Sequence, residues 1–299
     1  MQAADAQGMI NLDIITYPIG QNGLDKNLNS INFGNYEGRL KIGGIKLILD
    51  GSPQGKTAYL TEPYYKPPHN ESDSYKGYPL IPQSEVSKWV KKYADLNIPI
   101  MAHANGDAAA DMLIKAVKDA DITSDHRTIM IHAQTVREDQ LDQMNELKII
   151  PSYFSTHTFY WGDWHRDSVF GQDRAMRISP TKSTLNRKMP FTVHNDAPVV
   201  PPDMIRLLWS TTNRKTRSGK VLGEEQKIST YEALKAITIN AAYQHFEDDI
   251  KGTIEVGKLA DLVVLSENPL SMKTRDLLNL SIVATYSHGQ KIYQATSEK

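Results

Sequence analysis

Ile98-Pro-Ile-Met-Ala-His103-Ala-Asn-Gly-Asp107 is a brief apolar run that stops at a histidine and passes at once into a turn. Two more stretches are built alike. Thr128-Ile-Met-Ile-His132-Ala-Gln134 also stops at a histidine, and Pro190-Phe-Thr-Val-His194-Asn-Asp196-Ala-Pro-Val199 stops at an aspartate. Further apolar runs stand at Ile10–Tyr17, Ile45–Asp50 and Ile149–Phe154. Most are continuous rather than alternating, which is how strands covered on both faces read.

Helical patterns separate these runs. Ser84–Leu96 opens with Ser84 as an N-cap and carries Val86, Val90 and Tyr93 on one face. Asp107–Ala120 and Arg137–Leu147 repeat apolar residues at helical spacing, with Asp107 placed to cap its helix. Strands alternating with helices predict right-handed βαβ units, a parallel sheet and a strand order able to curl into a barrel. The expected fold is therefore an α/β barrel over residues 1–246. After it, 247–299 reads as a small β-rich portion. There Gly252–Leu265 supplies two short strands around a Gly turn, and Ile282–Tyr293 a hairpin turning at His288-Gly289.

Two segments fit neither pattern. Gly51–Pro82 carries five tyrosines and six prolines and reads as a long loop, either shaping a pocket or packing on itself. Ser155–Ser179, with Phe159, Tyr160, Trp161 and Trp164, reads as a second one, whose aromatics either line a ligand or plug the barrel mouth.

The bulk numbers narrow the function. The chain has 299 residues, 40% hydrophobic and 23% charged, with a formal net charge of −1. That balance gives no reason to expect nucleic acid or an anionic membrane as partner. No run approaches the ~20 apolar residues of a membrane span, and the N-terminus has no signal-peptide pattern as it stands. With no cysteine, any metal must be held by nitrogen and oxygen. Absence of cysteine fits the cytoplasm first, but also a periplasmic protein without bridges. No Gly-x-Ser-x-Gly elbow suggests a serine hydrolase.

Imidazole and carboxylate at strand ends are what a divalent ion such as zinc takes as ligands. His103 alone reads equally well as a core histidine bonded to backbone. With His132 on the next strand, ~4.8 Å away, a shared ion becomes the better explanation. Asp196 reads as a third ligand and general base, or as a turn residue before Pro198. His194 shares its strand face and is a substrate contact or a packed histidine. His157 is a pocket candidate; His69, His126 and His165 read as surface residues. Lys46, inside an apolar strand, either snorkels to the barrel end or has a function. Asp50 is a turn former or supports a ligand from behind.

Four motifs resemble the amidohydrolase superfamily, in its family-3, YtcJ-like branch that includes N-substituted formamide deformylases. They are Gly44-Ile-Lys46-Leu-Ile-Leu-Asp50-Gly-Ser52, His103-Ala-Asn-Gly-Asp107, His132-Ala-Gln134 and Asp196-Ala-Pro-Val199, followed by Gly252-Thr-Ile-Glu-Val-Gly257-Lys-Leu-Ala-Asp261. The resemblance implies a (β/α)₈ barrel with a small β-sandwich portion and one or two ions held by His103, His132 and Asp196. Lys46 would sit where some relatives carry a carboxylated lysine. It implies hydrolysis of a small non-peptide amide through a metal-activated water, with Asp196 as base, His194 and His157 on the carbonyl, and Tyr153 and Trp161 against the substituent.

The family's His-x-His segment is absent here, and no histidine precedes His69. On this reading Ile10–Tyr17 is barrel strand three and the chain is a C-terminal portion. Its open edge would be met by a second copy or by the missing segment in trans. The alternative is an inactive barrel fragment serving as a binding or assembly partner.

Overall fold

The structure is a computed structural model and describes residues 1–20, 28 and 31–296. Three short strands come first: β1 (Ile14–Thr16), β2 (Tyr36–Glu37) and β3 (Leu40–Ile42), in the spatial order β1-β3-β2. Then β4 (Ile45–Ile48), β5 (Ile100–Ala104), β6 (Ile129–His132), β7 (Ile150–Tyr153) and β8 (Thr192–Val193) lie side by side in that order, all parallel. The last three, β9 (Leu262–Leu265), β10 (Ile282–Ser287) and β11 (Gln290–Gln294), form an antiparallel sheet with β10 central. No helix among the described residues is long and apolar enough to cross a membrane.

The parallel arc is covered by the amphipathic helices. Helix Asp107–Ala120 buries Ala109, Leu113, Ala116 and Val117, and its alanines allow a close approach to the strands. Helix Gln83–Asp95 buries Val86, Val90 and Tyr93. It starts one residue before Ser84, because the Pro82 carbonyl accepts the N–H groups of Glu85 and Val86 and extended Pro82 sets the entry angle. Asp107 does not cap its helix either. Gly106 holds that position, and the Asp107 carboxylate accepts the Thr61 N–H (2.9 Å) and an Arg137 N–H (3.2 Å) instead.

The first apolar run departs from expectation. β1 is shorter than Ile10–Tyr17 and pairs with β3, outside the five-stranded sheet. Only beyond it does the chain reach β4, where Ile19 bridges Lys46 and Gly20 donates to the Lys46 carbonyl. Glycine permits this crossing: a Cβ at Gly43 would lie 2.6 Å from Ile15, and one at Gly44 2.2 Å from the Pro99 carbonyl oxygen. Ser155–Ser179 is not a plain loop but a chain of short helical turns, among them His157–Tyr160 and Gly171–Met176. Its Val169, Phe170 and Ala175 form a second apolar cluster with Leu60 and Tyr64 of the 51–82 excursion. Each excursion thus buries the other. Of the two strands expected in Gly252–Leu265, only β9 forms; the hairpin at His288-Gly289 is present as β10–β11.

A buried ion-pair network ties β3 to the chain beyond the last barrel helix. Lys41 and Glu247 meet at 2.9 Å with side chains each 5% exposed, and Lys251 bridges Glu247 to Asp13. Burial alone would raise the Glu247 carboxyl, but hydrogen bonds from Lys41, Lys251 and Tyr36 hold it below its ordinary value. Removing one partner strands the other charge in low dielectric. Glu247→Gln is therefore expected to cost about 3 kcal/mol, read as a lower urea midpoint at unchanged m; a change under about 0.5 kcal/mol means the pair is solvated.

Candidate metal centre

Asp50 stands just past β4, its side chain fully buried. Oδ1 accepts the Asn105 N–H (3.0 Å) and faces His103 Nδ1 at 3.1 Å, while Oδ2 accepts the N–H groups of Gly106 (2.8 Å) and Tyr59 (3.0 Å). A carboxylate only accepts, so His103 Nδ1 carries the proton and Nε2 keeps its lone pair. Asn105 agrees. Its amide nitrogen donates to the Gly51 carbonyl and lies 3.3 Å from His103 Nε2, which must then accept. A buried carboxylate behind an imidazole is the arrangement that orients a metal-ligating histidine.

His132 ends β6 in left-handed backbone, φ 74°, followed by Ala133 at 45°. By register it pairs with Tyr153, whose hydroxyl bonds Thr184 in the helix layer at 2.6 Å. Strict alternation would send His132 that way too. The strained turn aims it at the histidines instead. Its ring is 4.5 Å from that of His103 and 5.1 Å from that of His194. His194 Nε2 lies 3.3 Å from His132 Nδ1, and Ser152 Oγ lies 2.9 Å from His194 Nδ1. The same alternation corrects Tyr153. It belongs to the packing layer, and its neighbour Ser152 meets the histidines.

His157 lies behind this group, 6.5 Å from His132 and 4.1 Å from Phe154 by ring centroids, with Trp161 edge-on at 5.4 Å. Both of its ring nitrogens are buried without a hydrogen-bond partner. His165, expected at the surface, is fully buried against His157. It accepts from Gln134 Nε2 at 3.1 Å. The available signal was Gln134 after His132 together with the aromatic density around 165.

Electrostatics bind the group together. Burial first, then His103, His194, His157 and Lys46, drive His132 well below its ordinary pKa. Burial, then Lys46 and His103, lowers His194 to about 3. Burial also lowers His165 to about 3. Asp196, in left-handed backbone at φ 56°, is raised by burial, against the pull of Lys46 and His103. Neutral imidazoles beside a carboxylate, with no thiol in the chain, suit a divalent ion held by nitrogen and oxygen.

The convergence is looser than a closed ligand shell. Among the described residues, the three-residue set of His, Asp and Glu ligand atoms lying within 4.8 Å of one another is Asp13, Asp261 and His288; His103, His132 and Asp196 stand wider. The Asp13 set is already neutralised, since Asp13 binds Lys251 and Arg39. A cavity of about 280 Å³ also lies elsewhere. Ile98, Pro99 and Thr128 line it, where β5 and β6 begin.

The amidohydrolase family matches residues 1–293. The chain belongs to that family. This amidohydrolase chain is similar to YtcJ of Bacillus subtilis (strain 168), 25% identical over 261 residues, 85% of this chain and 48% of that protein. N-substituted formamide deformylase of Arthrobacter pascens is 25% identical over 259 residues, 86% of this chain and 46% of its own length. A solved metal-dependent hydrolase from Pyrococcus horikoshii OT3 superposes with TM-score 0.78 at 26% identity, covering 91% of this chain and 54% of that one. The fold is thus the α/β barrel type of metal-dependent hydrolases. The chain spans about half the length of the curated relatives it matches.

Two outcomes follow from the geometry. Nitrogen NMR is expected to read His103 as the Nδ1–H tautomer, and Asp50→Ala to mix the tautomers; an Nε2–H signal in the parent chain overturns the role of Asp50. Histidines kept neutral when folded take up protons only on unfolding, so stability falls as pH drops below about 6.5. His165→Gln is expected to make that slope shallower by about 1.4 kcal/mol per pH unit between pH 5.5 and 4, as read from urea midpoints; an unchanged slope refutes it.

Proposed function

We propose that this chain carries the reaction centre of a metal-dependent hydrolase acting on carbon–nitrogen bonds of small non-peptide amides. The observation that supports it most is the gathering of Lys46, His103, His132, His194 and Asp196 within one electrostatic neighbourhood, the histidines and the aspartate at the C-terminal ends of parallel strands, where barrel enzymes keep their chemistry. His103, His132 and Asp196 would hold the ion, with Lys46 beside them. A divalent ion, zinc being the one this donor set suits, supplies Lewis acidity and a water of lowered pKa.

Asp196 takes the proton of the attacking water and returns it to the leaving nitrogen; its raised pKa favours that exchange. His157, with two unengaged ring nitrogens, and His194 donate hydrogen bonds to the developing oxyanion. Phe154 and Trp161 exclude water around His157 and favour an apolar substituent, the class named by the similar N-substituted formamide deformylase.

A second reading, a non-catalytic partner of another chain, is favoured by one observation: the ligand atoms of the trio stand wider than 4.8 Å. Elemental analysis separates the two. After zinc loading and dialysis, the full chain is expected to keep close to one ion, and His103→Ala to lose it. Asp196→Asn is expected to cut turnover of an N-alkyl formamide by about 10²–10⁴. A chain that retains no divalent ion supports the partner reading.

A further inference from the structure

A pocket of 160 Å³ is lined by Thr61, Val136, Arg137, Phe170, Arg174 and Arg177. Its walls come from the 51–82 excursion, the turn after β6 and the helix Gly171–Met176. One link separates it from the histidines: Thr135 donates its N–H and its hydroxyl to the Asn105 carbonyl at 3.1 and 3.0 Å.

The three arginines are not equivalent. Arg137 is neutralised by Asp107, Asp111 and Asp139. Arg177 Nη2 lies 2.7 Å from Glu138 Oε1, yet is out of line for a hydrogen bond, so its buried N–H has no acceptor. Arg174 donates hydrogen bonds to backbone carbonyls, those of Phe170 (3.0 Å), Glu62 (3.4 Å) and Pro63 (2.6 Å). That engages three of five donors. It is half-buried, and burial lowers its pKa against the more distant pull of Glu62 and Asp107. A cation partly withdrawn from water with no carboxylate within ion-pair distance gains from an anion that comes closer.

We propose that this pocket binds a small organic carboxylate, gripped by the Arg174 fork, with its carbon chain against Val136 and Phe170. The planar fork matches two carboxylate oxygens. Glu62 and Asp107 also line the pocket. Arg137 and Arg177 already face carboxylates of their own, so the charge left for a ligand is that of Arg174, and the nearby acids disfavour a phosphate dianion more than a monoanion. The site stands apart from the reaction proposed above, because binding is read without turnover.

The test is calorimetric titration of the full chain with propionate, propionamide and inorganic phosphate at constant ionic strength. Propionate is expected to bind saturably at one site, and propionamide to bind at least about tenfold more weakly. Arg174→Gln should weaken propionate by about tenfold or more, Arg174→Lys by less, and the exposed control Arg275→Gln not at all. Non-saturable binding, equal binding of propionamide, tighter binding of phosphate, or an unaltered Arg174→Gln each overturns the proposal. Should Arg174→Gln fail to fold, the propionate-to-propionamide ratio in the parent chain decides.

Discussion

The buried carboxylate of Asp50 is the point on which the candidate site hangs. It accepts from three backbone N–H groups and from His103, and those donors belong to separate stretches of chain, the start of the 51–82 excursion and the end of β5 with its turn. A carboxylate out of water has to be satisfied on both oxygens. Satisfying this one fixes where the excursion leaves the barrel, how β5 ends, and which nitrogen of His103 is free.

The left-handed turns at His132 and Asp196 do comparable work. A parallel strand points successive side chains to opposite faces, so a barrel offers every second residue to its interior. Left-handed backbone at the strand ends releases a residue from that rule. It costs of order 1–3 kcal/mol at a non-glycine residue, a cost sustained only where surrounding packing over-determines the conformation. Here that packing includes Phe154, His157 and the helical turns of 155–179.

Much of this was legible in the chain. The continuous apolar runs and intervening amphipathic stretches identified strands β4 to β8 and the helices between them, because burial on two faces leaves no polar alternation. Residues at run ends, His103, His132, His194 and Asp196, were legible as candidates for the same reason: a polar group closing an apolar run needs a partner. The errors share one cause. Ile10–Tyr17 has the composition of a barrel strand, but its pairing with β3 depends on glycines at 43 and 44 and on a crossing distant in sequence. His165 looked like a surface residue because its neighbours Arg166 and Asp167 are charged, and nothing local shows that the 51–82 excursion lies over that stretch.

The sequence by itself therefore determined the fold class, the strand order and the residue types available to an ion, since these follow from periodicity, from the right-handed crossover and from a chain without thiols. Only the tertiary structure decided which side chains meet. It turned His132 inward and Tyr153 outward, set Asp50 behind His103, buried His165 beside His157, and left Arg174 without a carboxylate. Those outcomes depend on backbone angles at single residues and on the packing of two excursions far apart in the chain, and no local pattern encodes either.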